Sequence, residues 1–165
     1  MARPTKHAPK ICFATIAFMV LGLLAGLVTD QPLWAVIGLL PVTIYEVYRT
    51  EGESTTWASW VMLAVLVIEA ALLIFGVDID LAELLGRESE TVAGYDVPLG
   101  PVTVVGPVVM AVLSLILIVR TRGRYTRILA VAILVGAGGL IFLLDPTVLG
   151  TWLDAVLEVG LPQLR

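Results

Sequence analysis

Glu69 and Glu46 are the residues of this chain with most scope for chemistry, because each is a carboxylate set in an otherwise apolar stretch. Glu69 lies about eight residues, or about 12 Å at the 1.5 Å rise of a helix, from the outer end of its stretch and farther from the inner end. Its side chain therefore cannot snorkel to either surface. A charge at that depth costs about 3 kcal/mol even on insertion scales, and no Lys or Arg stands at matching depth, so the neutral acid is favoured. Two roles follow: a proton or cation site in a carrier, or a neutral hydrogen-bond donor between helices. One carboxylate without a second ionisable group makes a thin relay, which favours the structural role. Thr43, at similar depth on the preceding stretch, is the expected hydrogen-bond partner. Pro41 cannot donate to the carbonyl of Ile37 and leaves a further acceptor, and the run Gly136-Ala137-Gly138-Gly139 would let helices approach closely.

Glu46 reads differently. Arg49 follows one helical turn later, where the stretch ends, so Glu46 and Arg49 are expected to form an interfacial ion pair beside Tyr45 and Tyr48. Other chemistry finds little support. The single histidine, His7, stands in the N-terminal tail, which leaves no buried haem ligand, metal cluster or His-based triad. Asp78, Asp80, Glu83, Glu88, Glu90 and Asp96 lack the spacing of a calcium loop and read as a solvated acidic face. Gly-rich phosphate loops are missing from the sequence. No enzyme activity, cofactor or metal is expected, and the lone Cys12 reads as packing.

The elements that hold these residues follow from composition. A hydrophobic fraction of 59%, a charged fraction of 15% and a mean hydropathy of +1.00 suit a bilayer rather than water. About twenty apolar residues cross the hydrocarbon layer as a helix, which predicts five spans, at residues 11–29, 33–48, 56–77, 102–119 and 128–144. Barrel strands are excluded, because the runs are too long and lack period-two alternation. The first span reads as an uncleaved anchor: Arg3, Lys6 and Lys10 precede it, and no small-x-small site follows Leu27 or Val28.

Placing the N-terminus in the cytoplasm puts Arg3, Lys6, Lys10, Arg49, Arg120, Arg122, Arg124 and Arg127 inside, and only Arg87 and Arg165 outside. That satisfies the positive-inside rule. The opposite face then gathers acids, in keeping with the net charge of −4. Tyr45, Tyr48, Trp57, Trp60 and Tyr125 fall at the inner boundary and Trp34 at the outer one, as headgroup-level aromatics should. Arg120, Arg122, Arg124 and Arg127 are expected to bind anionic headgroups, each charge contributing about 1 kcal/mol. The cluster is too short, and too firmly tied to the membrane, for nucleic acid.

Arg49-Thr50-Glu51-Gly52 and Arg120-Thr121-Arg122-Gly123 share an Arg-Thr-x-Gly pattern at the inner turns of two hairpins. Each hairpin is followed by an amphipathic segment closed by glycine, at 80–86 and 153–160. A parallel duplication of a helical hairpin would explain both, with Leu140 as the counterpart of Glu69. The second segment, capped by Asp145 and Pro146, should lie flat on the outer surface. The intervening residues 87–100, with Tyr95, Pro98 and Gly100, suit a structured excursion over the outer mouth.

The expectation is therefore an all-α integral membrane protein forming a single domain. It divides into an anchor (1–32), a first hairpin unit (33–86), an outer loop (87–103) and a second unit (104–165). It would be multi-pass in the cell membrane, N-terminus cytoplasmic and C-terminus external. Its few Lys against many Arg suit a halophilic or high-GC prokaryote. The expected partners are the lipid bilayer and itself or other membrane subunits. The expected role is that of a non-catalytic accessory or scaffolding subunit, with a small proton- or cation-linked carrier or channel using Glu69 as the alternative.

Overall fold

The computed structural model describes residues 7–50, 52–77, 89–92, 95–98, 102–121, 123–147 and 150. Five long helices carry it: α1 (Ala8–Thr29), α2 (Pro32–Arg49), α3 (Glu53–Phe75), α4 (Val102–Arg120) and α5 (Arg124–Leu144). Four of them are long and apolar enough to cross a membrane: Ala8–Thr29, Thr55–Phe75, Val102–Arg120 and Arg124–Leu144. The sequence also predicts a span over α2. That helix has the length, but Pro41, Glu46 and Arg49 dilute its apolar character.

Local sequence sets the ends. Asp30 takes a left-handed conformation (φ 55°) and closes α1, Gln31 donates its N–H to the Gly26 carbonyl at 3.1 Å, and Pro32 opens α2. Gly76 (φ 60°) closes α3 in the same way, with the Val77 N–H on the Leu72 carbonyl at 3.0 Å. Gly52 (φ 120°) holds a backbone that side chains rarely adopt, just ahead of α3. At the end of α5 the Asp145 side chain accepts the Thr147 N–H at 2.9 Å and the Thr147 hydroxyl at 2.6 Å, so it caps the next turn as expected.

Between α3 and α4 the helical architecture is interrupted by a two-stranded antiparallel hairpin, β1 (Ser89–Val92) and β2 (Tyr95–Pro98), which pairs Ser89 with Pro98 and Val92 with Tyr95. The sequence reading treated this stretch as loop, although Thr91, Val92, Tyr95 and Val97 all favour extended backbone. Both amphipathic segments, 80–86 and 153–160, lie outside the described residues, as does the C-terminus.

Helices α2, α3, α4 and α5 form a closed ring in which each packs on the next and α5 returns to α2, while α1 lies outside the ring against α2 and α5. The α1–α2 crossing is the closest: a Cβ on Gly22 would come 2.6 Å from the Gly38 Cα and 2.7 Å from the Trp34 carbonyl oxygen. In the run 136–139, Gly136 seats Leu39 and Met19, Gly139 faces Leu23, and Gly138 opens onto free space. Leu39, Met62, Leu66, Met110, Leu117, Leu129, Ile133 and Leu140 fill the interior.

Several buried positions of the two hairpins correspond at one offset. The offset that carries Arg49 onto Arg120 carries Thr43 onto Ser114, Thr50 onto Thr121, Thr55 onto Thr126, Met62 onto Ile133, Leu66 onto Ala137 and Glu69 onto Leu140. All twelve residues of these last six pairs are buried. The hydrogen bonds match too. Thr43 donates to the Leu39 carbonyl at 2.9 Å and Ser114 to the Met110 carbonyl at 2.7 Å; Thr55 donates to the Gly52 carbonyl at 3.0 Å and Thr126 to the Gly123 carbonyl at 2.8 Å.

Candidate functional site

Glu69 is placed by α3 in the seam with α4 and is 1% exposed. Its carboxyl occupies the notch left by the missing side chain of Gly106, where a Cβ would overlap Oε2 and sit 3.3 Å from Cδ. Pro107 comes next on α4 and, having no N–H, leaves the carbonyl one turn earlier without its usual donor. Oε1 of Glu69 is buried without a hydrogen-bond partner. The structure does not join Thr43 to it: the Thr43 hydroxyl is committed to the Leu39 carbonyl of its own helix. Further along the seam the Ser114 hydroxyl also points at the Met62 sulfur, 3.4 Å away.

Glu46 lies near the end of α2 and is fully buried, at 0% exposure. Its Oε1 accepts the Thr50 hydroxyl and Oε2 is buried without a partner, while the buried Ser59 hydroxyl of α3 donates to the Thr55 carbonyl at 3.0 Å. Arg49, expected to pair with it, lays its guanidinium carbon 5.9 Å from the ring centroid of Tyr125 on α5. Tyr45 and Tyr48 stack with centroids 6.2 Å apart. The Thr50 hydroxyl on Glu46 escaped the sequence reading, although i+4 is the helical spacing that brings a hydroxyl onto a carboxylate.

Of the expected headgroup-binding arginines, Arg120, Arg124 and Arg127 are exposed at the α4–α5 turn, with Arg127 Nη2 donating to the Thr121 carbonyl at 3.2 Å; Arg122 lies outside the described residues. Trp57 (72% exposed) and Trp60 (57%) flank a shallow cleft of about 140 Å³ with Thr56 at the same end of the bundle. Among the described residues no group of three His, Cys, Asp or Glu side chains converges. The carboxyls therefore stand singly, one against a glycine notch and one on the Thr50 hydroxyl.

Among the described residues, fold and site together define a bundle of five long helices, four of them apolar enough to cross a membrane, with two buried acids. In comparison with known proteins, no family model, no curated protein and no solved structure matches the chain.

Proposed function

We propose that the chain is a non-catalytic integral membrane protein of five spanning helices, an accessory or scaffolding subunit that packs in a homo-oligomer or a larger membrane complex. The observation that carries this reading is that most of the buried hydroxyls bond back to their own helices. The buried hydroxyls of Thr43, Ser59, Ser114 and Thr126 each donate to a backbone carbonyl three or four residues back. Large apolar side chains fill the space between them, so that among the described residues no chain of polar groups runs from one end of the bundle to the other. Such hydroxyls serve the helices themselves rather than a substrate.

The N-terminus lies in the cytoplasm in this reading and the C-terminus outside, with Lys10, Arg49, Arg120, Arg124 and Arg127 at the inner ends of their helices and the exposed Trp57, Trp60 and Tyr48 at headgroup level. Hairpins α2–α3 and α4–α5 are two copies of one parallel unit, supported by their paired hydroxyls and by the reciprocal packing of α3 on α4 and of α5 on α2. Native mass in mild detergent, with every co-purifying chain identified, tests the subunit role. A stoichiometric foreign chain or a homo-oligomer is expected; a lone monomer would overturn it.

A second reading, a small proton- or cation-linked carrier, is favoured by one observation: the unpartnered Oε1 of Glu69 lies at the seam between the two units, where parallel repeats place their sites. Glu69→Gln keeps the shape and removes the titration. Unchanged flux of that variant in proteoliposomes would remove this reading.

A further inference from the structure

The α2–α3 and α4–α5 turns are built alike and charged oppositely. Thr121 stops α4 with its N–H on the Leu117 carbonyl at 2.8 Å, as Thr50 stops α2 on the Glu46 carbonyl at 2.9 Å. Arg127 donates its N–H to the Gly123 carbonyl at 3.0 Å, as Thr56 does to Gly52 at 2.9 Å. Yet the first turn carries Glu46, Glu51 and Glu53 against Arg49, whereas the second, from Leu117 to Arg127, carries Arg120, Arg122, Arg124 and Arg127 and no acid. The same backbone forms with either charge, so the turn itself does not call for the arginines. Nor does the helix that follows. Arg124 and Arg127 stand in the first turn of α5, which holds no acid and no side-chain cap, and positive charge is unfavourable at that end of a helix.

Three guanidinium groups gather here. Arg120, Arg124 and Arg127 are all exposed, and Arg127 folds back so that Nη2 donates to the Thr121 carbonyl at 3.2 Å, between Arg120 and Arg124 in the chain. Among the described residues no carboxylate pairs with any of the three. Trp57 and Trp60 of α3, the helix packed on α4, stand exposed at the same end of the bundle and mark the headgroup level, where lipid phosphates lie. Guanidinium groups bind phosphate oxygens through paired hydrogen bonds. We propose that the α4–α5 turn is a binding site for the phosphate of an anionic phospholipid, held by Arg120, Arg124 and Arg127, and that the acidic α2–α3 turn at the same surface is not. A net negative headgroup is preferred, because a zwitterionic one brings its own ammonium to compete for the phosphate. The site rests on the membrane-spanning reading and is independent of the subunit role.

The test is native mass spectrometry of the full chain from mild detergent, titrated in turn with phosphatidylglycerol and phosphatidylcholine of identical acyl chains. The first phosphatidylglycerol is expected to bind about tenfold more tightly or better. Arg120→Gln and Arg124→Gln should each lower its affinity about fivefold, the effect of one charge near an anionic lipid, and leave phosphatidylcholine unchanged. Both side chains are exposed, so the fold should tolerate their loss, which circular dichroism checks. Lys10→Gln is the control. Contacts of Met19 with Gly136 and of Leu23 with Gly139 set α1 parallel to α5, in a register that puts Lys10 level with Arg127 but on the exposed face of α1. That variant removes a charge from the same surface and should change the affinity less than about twofold. Equal affinity for the two lipids would overturn the site and leave the spanning helices unchallenged. A loss in Lys10→Gln equal to that in Arg124→Gln would also overturn it, as the mark of surface potential alone. Ammonium phosphate that strips the lipid more than ammonium acetate of equal ionic strength would assign the turn to a free anion instead, and overturn it too.

Discussion

Alanine at Gly22 is the sharpest probe of how this bundle is held together. The new Cβ would come 2.6 Å from the Gly38 Cα and 2.7 Å from the Trp34 carbonyl, both backbone atoms of α2. Ordinary contact at a Cβ begins near 3.4 Å, so the helices must separate by most of an ångström along the seam that also seats Met19, Gly26 and Ala35. Overpacking of this kind costs about 1–3 kcal/mol, and here the upper part of the range is expected because backbone cannot rotate away. Two alanines on α5 calibrate the result. At Gly139 the Cβ meets the flexible tip of Leu23, at 2.8 Å from Cδ2, and should cost less; at Gly138 it meets nothing. Gly138→Ala should be neutral, or stabilising by up to about 1 kcal/mol through helix propensity. Loss of helical circular dichroism on titration with SDS measures all three. Gly22→Ala with the stability of Gly138→Ala would refute the argument that α1 is seated by backbone contact.

Glu69→Leu, which installs the residue found at the matching position of α5, removes a buried oxygen without a partner and is expected to raise SDS resistance by about 1–3 kcal/mol. Thr50→Val withdraws the hydroxyl from Glu46 Oε1 and should cost about 1–3 kcal/mol, whereas Thr121→Val, whose hydroxyl is buried without a partner, should be neutral or stabilising in the same titration. For orientation, a cysteine at Arg124 in a Cys12→Ser background should react with a membrane-impermeant thiol reagent in inside-out vesicles and stay unlabelled in intact cells; the reverse pattern would invert the proposed topology. Gly106→Ala should displace the Glu69 carboxyl from its notch and destabilise the native sequence, yet be tolerated in Glu69→Ala, a coupling that a double-mutant cycle reads directly.

The helices were legible because a bilayer-length apolar run leaves few other solutions, whereas the conformations that end them at Asp30, Gly52 and Gly76 emerge from the structure. The sequence also supplied the Arg-Thr-x-Gly turns, and the buried threonines Thr55 and Thr126 extend the match into three dimensions. Partners across helices were less visible. Thr43 and Glu69 share a depth in a one-dimensional reading, but depth says nothing about which face of each helix they occupy, and the residue that meets Glu69 is Gly106. Glu46 and Arg49 have ion-pair spacing, but spacing does not reveal the further neighbours the fold brings to them, the Tyr125 ring of α5 to Arg49 and the Thr50 hydroxyl to Glu46. Gly22 and Gly38, single glycines in separate apolar runs, drew no attention beside the conspicuous cluster at 136–139, although the isolated pair makes the tighter contact.

The place of α1 outside the ring has a consequence for biogenesis. Of the five helices it leaves the ribosome first, and the α2 side of its seat follows at once, but the α5 side, where Leu23 meets Gly139, exists only after Leu144 has been made. The ring needs the same late event, because α5 must return to α2 to close it. The earliest of the five helices can thus be only half seated until the last one arrives, and its α5-facing flank stays uncovered during that interval.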